Sequence, residues 1–219
     1  MSSLEPYDAV ILAGGAARRM GGTDKPALDV AGATLLERVA AAVPDARRTI
    51  VVGPRRPSPS ATYVREEPAG GGPVAALRAG LPVVTAPWFA LLAGDLPFLE
   101  PGHVRALLEA ARERSGAVYL DAESRQQWLL GAWRADAVRA ALASYSGASL
   151  YRLLGPLEPA ALIPEKTDPP LTLDCDTPES LARARALAGE AADQPAQPLK
   201  SANGTHSSRN PRTPRNSDR

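Results

Sequence analysis

Cysteine and histidine are nearly absent. One cysteine, Cys175, and two histidines, His103 and His206, stand in 219 residues. That excludes an internal disulfide framework and leaves no soft-ligand constellation for zinc, so any catalytic metal must sit on oxygen. No uninterrupted apolar run approaches the length, about 18 residues, that spans a bilayer. A surplus of charge is missing as well: 25 Lys and Arg against 24 Asp and Glu give a net charge of +1, so there is no general electrostatic attraction for nucleic acid. There is no G-x-S-x-G elbow, which removes serine hydrolase chemistry. Met1 to Asp8 lacks a basic region and an apolar segment, so no export signal is expected and a cytoplasmic location follows by default. At 44% hydrophobic the chain can bury one full core, and one soluble domain is the expectation.

What is present begins with Val10 to Lys25, V-I-L-A-G-G-A-A-R-R-M-G-G-T-D-K. The apolar run Ala9 to Leu12 ends abruptly in Gly14-Gly15, which reads as a buried strand breaking into a loop with a bare backbone. Glycine allows close approach, so successive amides can converge on an anion, and Arg18, Arg19 and Lys25 add positive charge around the same point. The expected guest is a polyphosphate. The spacing fits neither the dinucleotide fingerprint nor the P-loop. A glycine turn with solvated arginines is the plain alternative.

Further along, Thr34-Leu35-Leu36-Glu37 is a capping box that opens a helix with Leu35, Leu36, Val39 and Val43 on one stripe. Thr49 to Gly53 is a short buried strand, Arg55 to Ser60 a surface loop, and Tyr63-Val64 the start of another strand. Gly70-Gly71-Gly72-Pro73 then opens a helix over Val74 to Leu81. Trp88 to Asp95 is a near-continuous apolar run, as a central parallel strand requires, and Asp95 falls at its carboxyl end, where open α/β sheets bind ligands. Asp95 is therefore the candidate magnesium ligand, with a turn-capping aspartate as the alternative. Pro101 to Arg114 is helical, with His103 capping or facing solvent. Ala117 to Leu120 and Gln126 to Arg134 are strands, Ala135 to Leu142 and Ser149 to Leu154 helices. Leu171 to Cys175 reads as a last strand running into a helix capped by Thr177, with Pro178 at its first position. Strands alternating with helices imply a single Rossmann-like three-layer α/β domain with a mostly parallel sheet over residues 1–190. Residues 191–219, rich in Pro, Ser, Asn and Arg, read as a disordered basic tail.

Leu12 to Lys25, L-A-G-G-A-A-R-R-M-G-G-T-D-K, resembles the signature loop of the nucleotidyltransferases of molybdenum cofactor synthesis, nearest to the molybdenum cofactor guanylyltransferases. The resemblance implies a nucleotidyltransferase-type fold and transfer of GMP from GTP to molybdopterin or its molybdenum-loaded form. It implies Mg²⁺ as cofactor, no nucleic-acid or membrane partner, and transient contact with other cofactor-synthesis proteins or acceptor enzymes. Leu12, Ala13 and Gly14 would meet the base and ribose, Arg19 and Lys25 the triphosphate, the Gly14-Gly15 amides the departing pyrophosphate, Glu67 the guanine, and Asp95 the metal. Asp174 or Asp176 would give a second metal ligand where relatives often carry asparagines. Arg152 would serve the acceptor phosphate, or else be a surface arginine. Trp128 and Trp133 would stack on a pterin, or else be core. Gly14-Gly15 favours GTP over CTP by resemblance. The alternatives are a cytidylyltransferase for the same cofactor, a nucleotidyltransferase for a sugar phosphate or other phosphorylated acceptor, and a non-catalytic GTP-binding protein.

Overall fold

Val10 and Ile11 lie at the centre of the first strand, β1 (Tyr7–Leu12), and are completely buried. The computed structural model describes residues 5–14, 24–164 and 170–193; Gly15, Arg18 and Arg19 of the glycine-rich loop, and 194–219 of the expected tail, lie outside the described residues. The described residues that follow that loop hold a 3-10 turn at Lys25–Ala27 and then a small hairpin, β2 (Asp29–Val30) and β3 (Ala33–Thr34). Ala31 and Gly32 turn it with φ of 50° and 82°, the pair of left-handed residues that a two-residue hairpin needs.

Helix α1 (Leu35–Ala41) starts with the capping box its sequence announces. Glu37 N donates to Thr34 Oγ1 at 3.2 Å, and Thr34 N donates to Glu37 Oε2 at 2.8 Å. The chain continues through β4 (Thr49–Val52), β5 (Thr62–Val64), α2 (Pro73–Gly80), β6 (Trp88–Ala93) and α3 (Pro101–Ala111). Then come β7 (Gly116–Leu120), β8 (Gln126–Arg134), α4 (Ala135–Ser144), α5 (Leu150–Leu154), β9 (Ala160–Leu162) and α6 (Pro178–Asp193). His103 caps α3, its Nδ1 accepting from Glu100 N at 3.1 Å.

The seven larger strands form one sheet in the order β5-β4-β1-β6-β8-β7-β9. Only β8 runs against the others, antiparallel to both β6 and β7. Alternation of side chains across the sheet produces three layers. Ile11, Ala90 and Leu92 face one way and pack with Leu36 and Val39 of α1 and Val104 and Leu107 of α3. Val10, Phe89 and Leu91 face the other way and meet Val74 and Leu77 of α2, Val138 of α4 and Leu150 and Leu154 of α5. A third cluster joins the hairpin to the C-terminal helix through Val30, Leu35, Cys175, Leu181 and Ala184.

The expected strand at Leu171 to Cys175 is not a strand. Leu171 and Cys175 are buried in two different clusters, so the pattern records side-chain anchoring of a segment that begins in a turn, with Leu173 N donating to Pro170 O at 3.1 Å. The edge position is taken instead by β9, whose Ala-Ala-Leu is too short and too weakly apolar to stand out in the sequence. Helix α6 continues to Asp193, past the expected boundary at 190.

The Thr34 cap is testable. Thr34→Ala should lower unfolding stability by about 1 kcal/mol, the usual worth of such a cap. Hydrogen bonds from Ser58 and then from Thr34 pull the Glu37 carboxyl down from 4.5 to about 2. A carboxyl depressed in the folded state stabilises above its unfolded pKa, so this contribution is lost as pH falls from about 4.5 towards 2. Thermal unfolding of wild type and Glu37→Gln should therefore differ at pH 6 and converge near pH 2; an unchanged difference across that range would contradict the assignment.

Candidate nucleotide-transfer site

The ends of β4, β1 and β6 converge on one short piece of backbone. Ala13 N donates to Val52 O at 2.9 Å, and Gly94 N donates to Leu12 O at 3.0 Å. A Cβ on Gly53 would lie 2.6 Å from the Ala13 carbonyl oxygen, and one on Gly94 would lie 3.1 Å from Leu12 O. Two glycines thus let the chain leaving β1 pass between its neighbouring strands. Gly14 emerges at the mouth of a cleft at the carboxyl edge of the sheet, the usual place for ligands in open α/β folds.

Asp24 is fixed by a residue that the sequence reading left in a surface loop. The Arg56 side chain is only 10% exposed. Its Nη2 donates to Asp24 Oδ1 at 2.5 Å and to Ala13 O at 3.4 Å, and its Nη1 donates to Pro54 O at 3.0 Å. Arg56 ties together the two described flanks of the glycine-rich loop. Nothing in the pattern R-R-P-S-P-S separates it from Arg55, because its role depends on a contact 32 residues away.

Lys25 follows directly, in the 3-10 turn, and its ammonium forms ion pairs with both Asp95 and Asp176. Asp95 comes from the turn after β6, and Asp176 from the segment before α6. Burial is the largest single influence on Lys25 and pulls its pKa down; the Asp95 and Asp176 carboxylates together outweigh it, and the net shift is upward. Lys25 is therefore a firmly charged cation. Asp174 is shifted up, first by partial desolvation and then by the negative charges of Asp176 and Asp95. Among the described residues, Asp95 and Asp176 pair with the Lys25 ammonium and Asp174 is a third carboxylate near them. Cys175, between two of them, points into the third cluster and is fully buried. Burial, with a contribution from Asp95, pushes its thiol up to about 11.

Two clefts meet at this group. The first, about 610 Å³, is lined by Leu12, Gly14, Lys25, Glu66, Gly72 and Asp95 among others. The second, about 520 Å³, includes Gln126, Trp128, Ser149, Tyr151 and Asp174. Pro73, Ala93, Asp95, Leu129 and Asp176 border both. Glu66 Oε1 accepts from Gly70 N at 2.7 Å and so holds the glycine turn that precedes α2. Glu67 is exposed and does not line the cleft, and neither does the buried Ala13. Arg152 is exposed and lines neither cleft. Trp133 is wholly buried core, whereas Trp128 is half-buried on the wall of the second cleft.

The donor set is all oxygen and carries an excess of negative charge, which suits a hard divalent cation. Among the described residues no three acidic, histidine or cysteine side chains converge to enclose a metal by themselves. Such a cation would complete its shell with phosphate oxygens and water, the habit of magnesium.

Residues 9–160 match the family model of the MobA-like NTP transferase domain. The chain belongs to this family. The matched stretch contains Lys25, Glu66 and Asp95 and ends before Asp174 and Asp176. A probable molybdenum cofactor guanylyltransferase of Natronomonas pharaonis is 32% identical over 80% of this chain and 95% of its own length. A molybdenum cofactor guanylyltransferase of Pseudomonas syringae is 33% identical over 77% of this chain and 88% of its own. Among solved structures, the molybdopterin-guanine dinucleotide biosynthesis protein A of Archaeoglobus fulgidus superposes with a TM-score of 0.68 at 18% identity, covering 84% of this chain and 99% of that one. At that identity the likeness speaks for the fold. No helix among the described residues of this MobA-like domain is long and apolar enough to cross a membrane.

The burial of Cys175 has a direct readout. The folded protein should resist alkylation by a thiol reagent at pH 8, and one thiol per chain should react after denaturation, since only an exposed thiolate attacks. Rapid modification of the native protein would show that the segment between Asp174 and Asp176 opens readily.

Proposed function

We propose that this chain transfers GMP from GTP to the phosphate of molybdopterin, or of its molybdenum-loaded form, with release of pyrophosphate. The observation that carries the reading is the pair of adjoining clefts that share Asp95 and Asp176, with Lys25 paired to both carboxylates on the side of the first cleft. One cleft accommodates the nucleotide and the other the acceptor, so the α-phosphorus and the attacking phosphate oxygen meet at the charged group between them. The guanylyltransferase relatives supply the choice of nucleotide and acceptor.

In the reaction an acceptor phosphate oxygen forms the new bond to the α-phosphorus, and the bond from that phosphorus to the bridging oxygen of the leaving pyrophosphate breaks. No protein nucleophile is required. The chain's part is positioning and charge neutralisation. The Gly14 backbone offers close approach to the nucleotide next to Leu12, and Lys25 meets charge on the departing pyrophosphate, together with Arg19 and the amide of Gly15. Asp95, with Asp176 or Asp174, would hold Mg²⁺, and the cation would supply neutralisation of the phosphate charge. Guanine presents adjacent N–H donors on its pyrimidine edge, and a carboxylate can accept both. Glu66 lines the nucleotide cleft, which supports it as that acceptor; Glu67, the residue implied by resemblance, is its rival.

Pyrophosphate release with Mg²⁺ and molybdopterin should be supported by GTP and not by CTP or ATP; release with CTP alone would reassign the enzyme as a cytidylyltransferase. Lys25→Ala and Asp95→Ala should each lower kcat by at least about 100-fold, as loss of a charge-stabilising group does. Both variants should still unfold in one cooperative thermal transition, which separates lost chemistry from lost folding. Glu66→Gln should raise the KM for GTP by about 10-fold or more, the cost of a lost charge-assisted hydrogen bond, with little effect from Glu67→Gln. The reverse order of effects would give the base contact to Glu67.

A further inference from the structure

The second cleft has two unlike ends. One is the carboxylate border with Asp95, Asp174 and Asp176; the other is aromatic. The Trp128 ring is stacked on the buried Trp133, with centroids 6.2 Å apart and planes 22° from parallel. Tyr151 meets the same ring edge-on, at 5.8 Å and 66°. Trp128 is thus backed by one ring and flanked by another, which fixes its orientation, and it lies in the cleft wall. Tyr151 is 64% exposed. Ile163, the other large exposed apolar side chain among the described residues, lines neither cleft. Exposed Tyr151 therefore sits where a ligand would cover it. Gln126, beside this corner, adds an amide able to donate and accept.

We propose that Trp128 and Tyr151 form the seat of the acceptor's ring system: a planar fused heterocycle packs against them, its polar edge meets Gln126, and its phosphate arm runs to the Asp95 and Lys25 border. This rests on the guanylyltransferase reading and adds the residues that select the acceptor. A rigid aromatic corner favours a flat π-system over a puckered sugar ring, since stacking rewards area and planarity. A phosphorylated pterin has the flat ring and the phosphate arm that the two ends of the cleft call for, whereas a hexose phosphate would leave the aromatic corner poorly covered. Trp133 backs the wall without touching the ligand, and the Trp128 it orients is the stacking surface.

The test pairs kinetics with binding. In Trp128→Leu the KM for molybdopterin should rise about 10-fold or more, as loss of a ring-on-aromatic stack does, while the KM for GTP stays within about twofold, since the nucleotide cleft lacks both residues. Tyr151→Ala should raise the acceptor KM in the same selective way, and Tyr151→Phe should restore it. Independently, a free 6-substituted pterin should quench tryptophan fluorescence of the wild-type protein and lose that effect in Trp128→Leu. Unchanged acceptor KM in both variants while wild type transfers GMP, or quenching that persists in Trp128→Leu, overturns the aromatic seat and leaves guanylyl transfer standing. A wild-type protein that shows the Trp128-dependent quenching yet releases no pyrophosphate from GTP and molybdopterin supports the seat and overturns the transfer reading.

Discussion

The ammonium of Lys25, caught between Asp95 and Asp176, is the interaction on which the rest of the site depends. Its partners lie 70 and 151 residues further along the chain, so the contact closes the domain as well as the site. Burying an amine is costly, and here the cost is offset only because two carboxylates arrive from independent elements. Removing either leaves the other two groups less well balanced. Among the described residues the carboxylates outnumber the ammonium, which is the imbalance a divalent cation accompanying a polyphosphate would correct.

Neutral packing delivers those charges. Cys175 and Leu171 have no strand partner, yet they seat their segment in two apolar clusters, and the alternation leaves Asp174 and Asp176 on the outer side. Helix α6 binds the hairpin through the third cluster and through Arg185 Nε, which donates to Asp29 O at 2.9 Å. The turn carrying Lys25 leads directly into that hairpin. An apolar contact between the last helix and residues near position 30 thereby sets the distance between charges drawn from opposite ends of the chain.

Much of this was legible in the sequence where the cause is local. The glycine break after an apolar run, the aspartate closing a buried strand and the Thr34 capping box each depend on residues a few positions apart, and the parallel three-layer fold follows from the alternation of elements. Other features were not legible, because they depend on distant partners. Arg56 has no local signal. Glu66 and Glu67 differ by one step in the phase of a turn that glycines leave unconstrained. The stretch around Cys175 alternates as a strand does, and a one-dimensional pattern cannot tell ladder pairing from anchoring. The reversal of β8 left no trace either, since a strand buried on both faces reads the same in either direction. Arg19 and Gly15, central to the expected phosphate contacts, lie outside the described residues.

That reversal divides the molecule in a useful way. The nucleotide cleft draws on the ends of strands, where the chain leaves the sheet, while the facing wall draws on Gln126 to Leu130, where β8 enters it. The wall residues Trp128 and Leu129 fall where the register between β7 and β8 shifts, so substitutions there leave the pairing of Gly131 to Trp133 with β7 in place. On the proposed assignment of the two clefts, one wall of the enzyme can therefore drift towards new acceptors while the opposite wall keeps its nucleotide, a separation of inheritance that a sheet with every strand aligned would not offer at this position.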